Sequence, residues 1–339
     1  MDISRGRTEA AESYKARQVL MDKQIRIASV AHTLLGKMVE GPNGERILGA
    51  LYGDMAHASR AVQRVPDAAL AVAAGSRRSV AFSVAAVHSD FEWACRDLLT
   101  DSLEFWESNW DLRLGGAKPP STNCNGLTKR GWLGTITETL RTHSAEEGFL
   151  QSCYSLIGIK PSDQDIAQLP LFDFFRRCRN RIIHQDGAAG SDLVEFSKSK
   201  ELQVAHKSLT PSVRRMAPCL PKLHAAEAIA LSPEHAILFM LVARNLFRAF
   251  AGRIRSQLSE DGYLRMAAHY AYVPAHHSFR SESYNSVVNP ALQFLAYRYR
   301  VTGADREDVI RRLRRLKLWD AMVARYHELF PPSSPRSGR

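Results

Sequence analysis

Apolar residues recur every three or four positions along most of the chain, and two-residue alternation is nearly absent, which predicts an all-α protein. A first helix fits Glu9 to Glu40, which lacks proline and has no glycine before Gly36; Val19, Met21, Ile25, Ile27, Val30 and Leu34 supply its apolar positions. Gly41-Pro42-Asn43-Gly44 marks a turn, a second helix fits residues 45–63, and Ala68–Ala74 adds a short third. Gly75-Ser76-Arg77-Arg78 suggests a boundary. Beyond it Val80, Val84, Val87, Phe91, Cys95 and Leu98 keep helical spacing, and that helix should reach Asp111. His88 and Glu92 share its polar side and read as a solvated pair.

Turn formers fill 114–126, so a surface loop is expected there, followed by helices over 127–142 and 145–156 and a break at Lys160-Pro161. Asp192 suits an N-cap for one helix over Leu193–His206, while three prolines make Leu209–Pro221 irregular. Ser232-Pro233 starts a strong helix whose Phe239, Val242, Leu246, Phe250 and Ile254 run to about Leu258, with Asp261-Gly262 ending it. A short helix near Pro290–Tyr299 and a long one over Ala304–Phe330 follow. The latter places Val309, Leu313, Leu316, Trp319, Val323, Tyr326 and Phe330 on one face, with Arg311, Arg314 and Arg325 off it as a solvated basic surface. From Pro331 the composition is that of a disordered tail.

The stretch richest in chemistry lies at the end of one further helix, expected over Pro170–His184 with Gly187 at its exit. Leu171, Phe175, Cys178 and Ile182 form its buried stripe; Asp173, Arg177, Asn180 and His184 fall on the opposite face. A net charge of +11 favours a polyanionic partner, and five scattered cysteines without a Cys-x-x-Cys pair read as free thiols. His32 and His57 read as ordinary packed or surface histidines, and His276-His277 lacks the neighbours a metal site would want. The polar N-terminus and the lack of any apolar run near eighteen residues lead us to expect a soluble, cytoplasmic chain without a membrane segment or cofactor.

Arg179-Asn180-Arg181-Ile182-Ile183-His184 resembles the signature of the HEPN superfamily: an arginine, four to six residues, then a histidine, with a polar residue, often asparagine, after the arginine. Arg26 to His32 and Arg177 to His184 also satisfy the spacing, but Ile27 and Cys178 follow those arginines. The resemblance implies a HEPN-like helical bundle with helical extensions at both ends: an N-terminal region 1–75, a HEPN-like domain 76–260 and a C-terminal extension 261–339. The helices near Val80–Asp111, Pro170–His184 and Pro233–Leu258 would form its core.

It also implies an endoribonuclease that needs no metal, in a toxin–antitoxin or phage-defence role, acting as a homodimer and restrained by an antitoxin or sensor protein. The products would be a 2′,3′-cyclic phosphate and a 5′-hydroxyl. Arg179, Asn180 and His184 would be catalytic, with Arg177 and Arg181 binding RNA. The alternative keeps the fold as a non-catalytic RNA-binding or dimerising adaptor. One tension remains: on an ideal helix Arg179 lies about 140° from His184 and Arg177 within about 20°. The signature favours Arg179 as the phosphate ligand, and the wheel favours Arg177.

Overall fold

In the computed structural model of the chain, residues 1–43, 65–106, 131–184, 187–209, 218–272 and 286–330 are described. About three quarters of them are helical, and their only β features are the isolated bridges Asp2–Thr302 and Ala188–Ala228, so the fold is all-α. The helices are α1 (Glu9–Glu40), α2 (Val65–Phe105), α3 (Trp132–Glu147), α4 (Phe149–Leu156), α5 (Asp163–Ile166), α6 (Leu169–His184) and α7 (Ser191–Ser197). They continue with α8 (Lys200–Lys207), α9 (Pro233–Arg255), α10 (Glu260–Ala271), α11 (Asn289–Gln293), a π-helical turn (Phe294–Arg298), α12 (Arg306–Arg315) and α13 (Trp319–Leu329).

Two compact units form from non-contiguous pieces. One comprises Met1–Lys15, Glu92–Pro161 and Arg248–Arg339; the other comprises Ala16–Phe91 and Ser162–Phe247. α1, α2 and α9 each contribute residues to both.

The second unit carries α6. Its core is aromatic: Phe91 of α2 meets Phe172 of α6 at 4.6 Å between ring centroids, and Phe239 of α9 meets Phe172 and Phe175 at 5.1 and 5.2 Å. Each ring contributes about 2–3 kcal/mol by leaving water, and tilted pairs of this kind add about 1 kcal/mol. His88 belongs to this core. It is buried and stacks on Phe172 at 5.8 Å, rather than sharing solvent with Glu92, which pairs with Arg96. The expected stripe from Val80 to Leu98 is buried throughout.

In the first unit, buried carboxylates cap helix starts. Asp101 accepts from the Ala10 amide and the Tyr270 hydroxyl, and Glu104 accepts from the Gly131 and Trp132 amides at the head of α3. Glu9 is clamped by Arg298 at 2.5 and 3.0 Å.

Several expected boundaries move. α2 runs unbroken through Gly75–Arg78, where a break was expected, and Gly75 lies within it beside the His32 ring. α3 persists to Glu147, and the break falls at Gly148 (φ 85°) rather than near His143. The expected single helix over 193–206 is two, divided where Ser199 caps the Leu202 amide; Gly190 rather than Asp192 is the N-cap of α7.

Asp261-Gly262 does not end a helix but lies in the first turn of α10, capped by Ser259. The expected 304–330 helix is also two, with Lys317 at φ 57° between them. Of its predicted face, Val309 and Leu313 are buried and the others are half-buried. The expected helix over 45–63, the 107–111 end of α2, the 114–126 loop, residues 127–130 and 210–217, His57, Cys124, His276-His277 and the tail from Pro331 lie outside the described residues.

Candidate active site

α6 starts at Leu169, with Pro170 where a missing amide donor is harmless, and buries Leu171, Phe172, Phe174, Phe175 and Cys178. Ile182 is only half-buried, so the stripe is broader at its start and fades towards its end. Arg181 and His184 occupy the last turn, where the helix dipole favours basic groups. Gly187, at φ 75°, returns its amide to the Arg181 carbonyl, and residues 187–189 then pair with Glu227 and Ile229. The exit of the helix is thereby pinned to a neighbouring segment.

Four arginines leave this helix, and three are committed elsewhere. Arg176 donates twice to Asp173 Oδ1, at 2.5 and 2.8 Å. Arg177 donates from Nε to Asp173 Oδ2 at 2.8 Å and lays its guanidinium on the Phe196 ring of α7, 4.3 Å from the centroid. Arg181 reaches Asp192 at the start of α7 at 2.6 Å, beside Gly190, where any side chain would collide with that pair.

Arg179 is different. Its Nη1 donates to Asn180 Oδ1 at 2.9 Å and to His184 Nε2 at 3.3 Å. An arginine can only donate, so Nε2 is the unprotonated nitrogen in this arrangement and the ring proton sits on Nδ1. Among the described residues Arg179 makes no ion pair, and its enclosed Nε has no hydrogen-bond partner. Asn180 is half-buried and His184 exposed.

Searches of family descriptions, curated proteins and solved structures find no match to this chain. The site therefore rests on its own geometry.

That geometry brings together Arg179, Asn180 and His184. It sends Arg177 towards α7 instead of towards His184, although the helical wheel puts the two residues on one face. Arg181 likewise points away. Cys178, adjacent in sequence, is no nucleophile: burial pushes its thiol up to about 12, so it stays protonated at neutral pH.

The roles of Asp173, Phe196, Asp192 and Gly190 were not foreseen. Only Asp173 carried a usable signal, standing three and four residues before Arg176 and Arg177. His235 is likewise structural: its Nδ1 accepts from the Ser232 amide at 3.0 Å and its Nε2 donates to the Cys219 carbonyl at 2.9 Å.

Proposed function

We propose that the protein is a metal-independent endoribonuclease of HEPN type, acting as a homodimer in a toxin or antiviral defence role. The observation that supports this most is the Arg179 guanidinium set between Asn180 and His184 with no ion pair among the described residues. His184 Nε2 would take the proton of a ribose 2′-hydroxyl, a contribution of about 10²–10⁴-fold. O2′ then attacks phosphorus and the bond to O5′ breaks, leaving a 2′,3′-cyclic phosphate. The leaving O5′ needs a proton, which the matching histidine of a second copy would supply across a two-fold axis. Arg179 would donate to the non-bridging oxygens as charge builds on them, where its fixed fork exceeds what lysine can do. Asn180 orients that fork.

The test uses end-labelled RNA with pure protein in EDTA. Wild type should cut and leave cyclic phosphate ends, while His184→Ala should not cut and should keep its melting temperature, since an exposed side chain contributes little packing. RNA retained without cutting by wild type would make the protein an adaptor. Activity lost in EDTA and restored by magnesium would make it a metal nuclease. Mixed Arg179→Ala and His184→Ala proteins should recover part of the activity if the cleft is shared between copies.

A further inference from the structure

α1 is apolar on both faces. Tyr14, Ile25 and Val39 on one side are enclosed, whereas Leu20, Ile27, Val30, Leu34 and Met38 on the other are 47% to 69% exposed. At 100° per residue those five fall within about 80° of one another and run for about 28 Å along the helix. Polar Asp22, Arg26, Ser29 and Thr33 separate this stripe from the enclosed one along one side of the helix, so the outer face is a second apolar stripe of the kind that marks an interaction surface. Its form is that of a seam: Leu20, Ile27 and Leu34 stand seven residues apart, with Val30 between. The charge within the seam has one sign. Lys23 lies in it and Lys37 at its edge, about 20° beyond Val30; both are exposed and without an ion pair among the described residues. The nearby carboxylate of Asp22 is turned to Arg26 at 3.0 Å.

We propose that α1 docks an acidic amphipathic helix of a different protein along Leu20–Met38, with that helix's carboxylates meeting Lys23 and Lys37. The seven-residue recurrence asks for a helix, because only a second helix presents side chains at the same interval. The lysines ask for an acidic one. A second copy of this chain would bring four ammonium groups into one apolar seam. A lipid surface fits less well, since membrane-lying helices carry a wider apolar face with aromatic residues, and this seam is narrow with none. The proposal is independent of the cleavage reading and holds if the chain never cuts RNA.

The probe is a synthetic fluorescent helical peptide with Leu facing Leu20, Ile27 and Leu34, and Glu facing Lys23 and Lys37. Its twin carries Lys in place of Glu. Fluorescence anisotropy with the full chain should show the acidic peptide binding at least about tenfold more tightly than its twin. The double variant Lys23→Glu with Lys37→Glu should reverse that preference, and Ile27→Asp should weaken both by about tenfold or more. All these positions are exposed, so circular dichroism and melting should match wild type; a failed fold in Ile27→Asp leaves the charge reversal as the deciding measurement.

Equal binding of the two peptides, or none, would overturn the proposal. So would a dimer by light scattering that Ile27→Asp dissociates, which would give the seam to a second copy. Binding to phosphatidylserine vesicles that Ile27→Asp abolishes would give it to a membrane, a control made necessary by α2, which is apolar and long enough over 69–105 to pass for a span. A dimer that Ile27→Asp leaves intact is the one the shared cleft requires and is consistent with the proposal.

Discussion

Replacing Arg177 and Arg179 separately with lysine should produce opposite defects. Arg177 is held by the Asp173 carboxylate and by the Phe196 ring. Its side chain is 40% exposed, so the ion pair contributes only about 0.3–0.5 kcal/mol after solvent screening. A guanidinium stacked on an aromatic ring contributes about 0.5–1 kcal/mol more at a partly exposed site. Lysine retains charge but neither the planar stack nor the fork, so Arg177→Lys should cost about 1 kcal/mol of stability and lower the melting temperature by about 2 °C.

It should leave single-turnover cleavage within about twofold of wild type, because the side chain points away from His184. Arg179→Lys should do the reverse. It removes one hydrogen bond to Asn180 and one to His184 on a half-exposed helix end, with little effect on melting, yet turnover should fall about 10²-fold or more, the usual effect of losing a transition-state donor. The assay pairs thermal melts with cleavage of end-labelled RNA at saturating protein. A turnover defect in Arg177→Lys with Arg179→Lys active would refute the assignment and return the phosphate to the residue that the helical wheel selects.

Two neighbouring glycines should respond oppositely to alanine. A Cβ on Gly262 would strike the buried Trp106 indole, whose Nε1 donates to the Ser259 carbonyl at 2.9 Å, so Gly262→Ala should cost about 2 kcal/mol or more in urea unfolding; Gly252→Ala, with open space inside α9, should cost nothing or stabilise by about 0.5 kcal/mol. Asp101→Ala removes the acceptor of the Ala10 amide and of the Tyr270 hydroxyl and should lower stability by about 2–3 kcal/mol, read from the same urea curves. Burial raises the Cys178 thiol from the ordinary value near 9 to about 12, so its contribution is full below the unfolded value and is lost as pH rises from there through the folded one. Urea midpoints should fall between about pH 9 and about pH 11, and Cys178→Ala should flatten that fall; an unchanged slope would rule the thiol out as a source.

Where the outline of the fold was readable, one physical effect governed. Val80 to Leu98 and Phe239 to Ile254 form stripes several turns long, and a long stripe can be buried in only one way. Errors arose where a residue with two uses was given its commoner one. Gly262 resembled a terminator, but it serves as a space for Trp106; Gly75 resembled a boundary, but it lies inside the unbroken α2. Periodicity also hid a break. Apolar residues keep three-and-four steps from Val309 to Phe330 in the sequence, but the chain steps through Lys317 with a positive φ and beyond it buries Leu318 and Met322 rather than Trp319 and Val323.

The candidate site shows a different limit. A helical wheel ranks residues by the direction of Cα–Cβ, which suits leucine and fails for arginine, whose guanidinium lies several bonds from Cβ and goes where a partner holds it. Asp173 stands three residues before Arg176 and four before Arg177, and its two oxygens hold both. Phe196 then fixes the plane of Arg177, and Asp192 draws Arg181 towards α7. Among the described residues Arg179 alone has neither acid nor ring, so it folds along the helix onto the groups within its own reach, which are Asn180 and the Nε2 of His184. Charge alone would make the four arginines equivalent. Their partners do not: a phosphate approaching this helix end would displace an ion pair to engage three of them, and none among the described residues to engage Arg179.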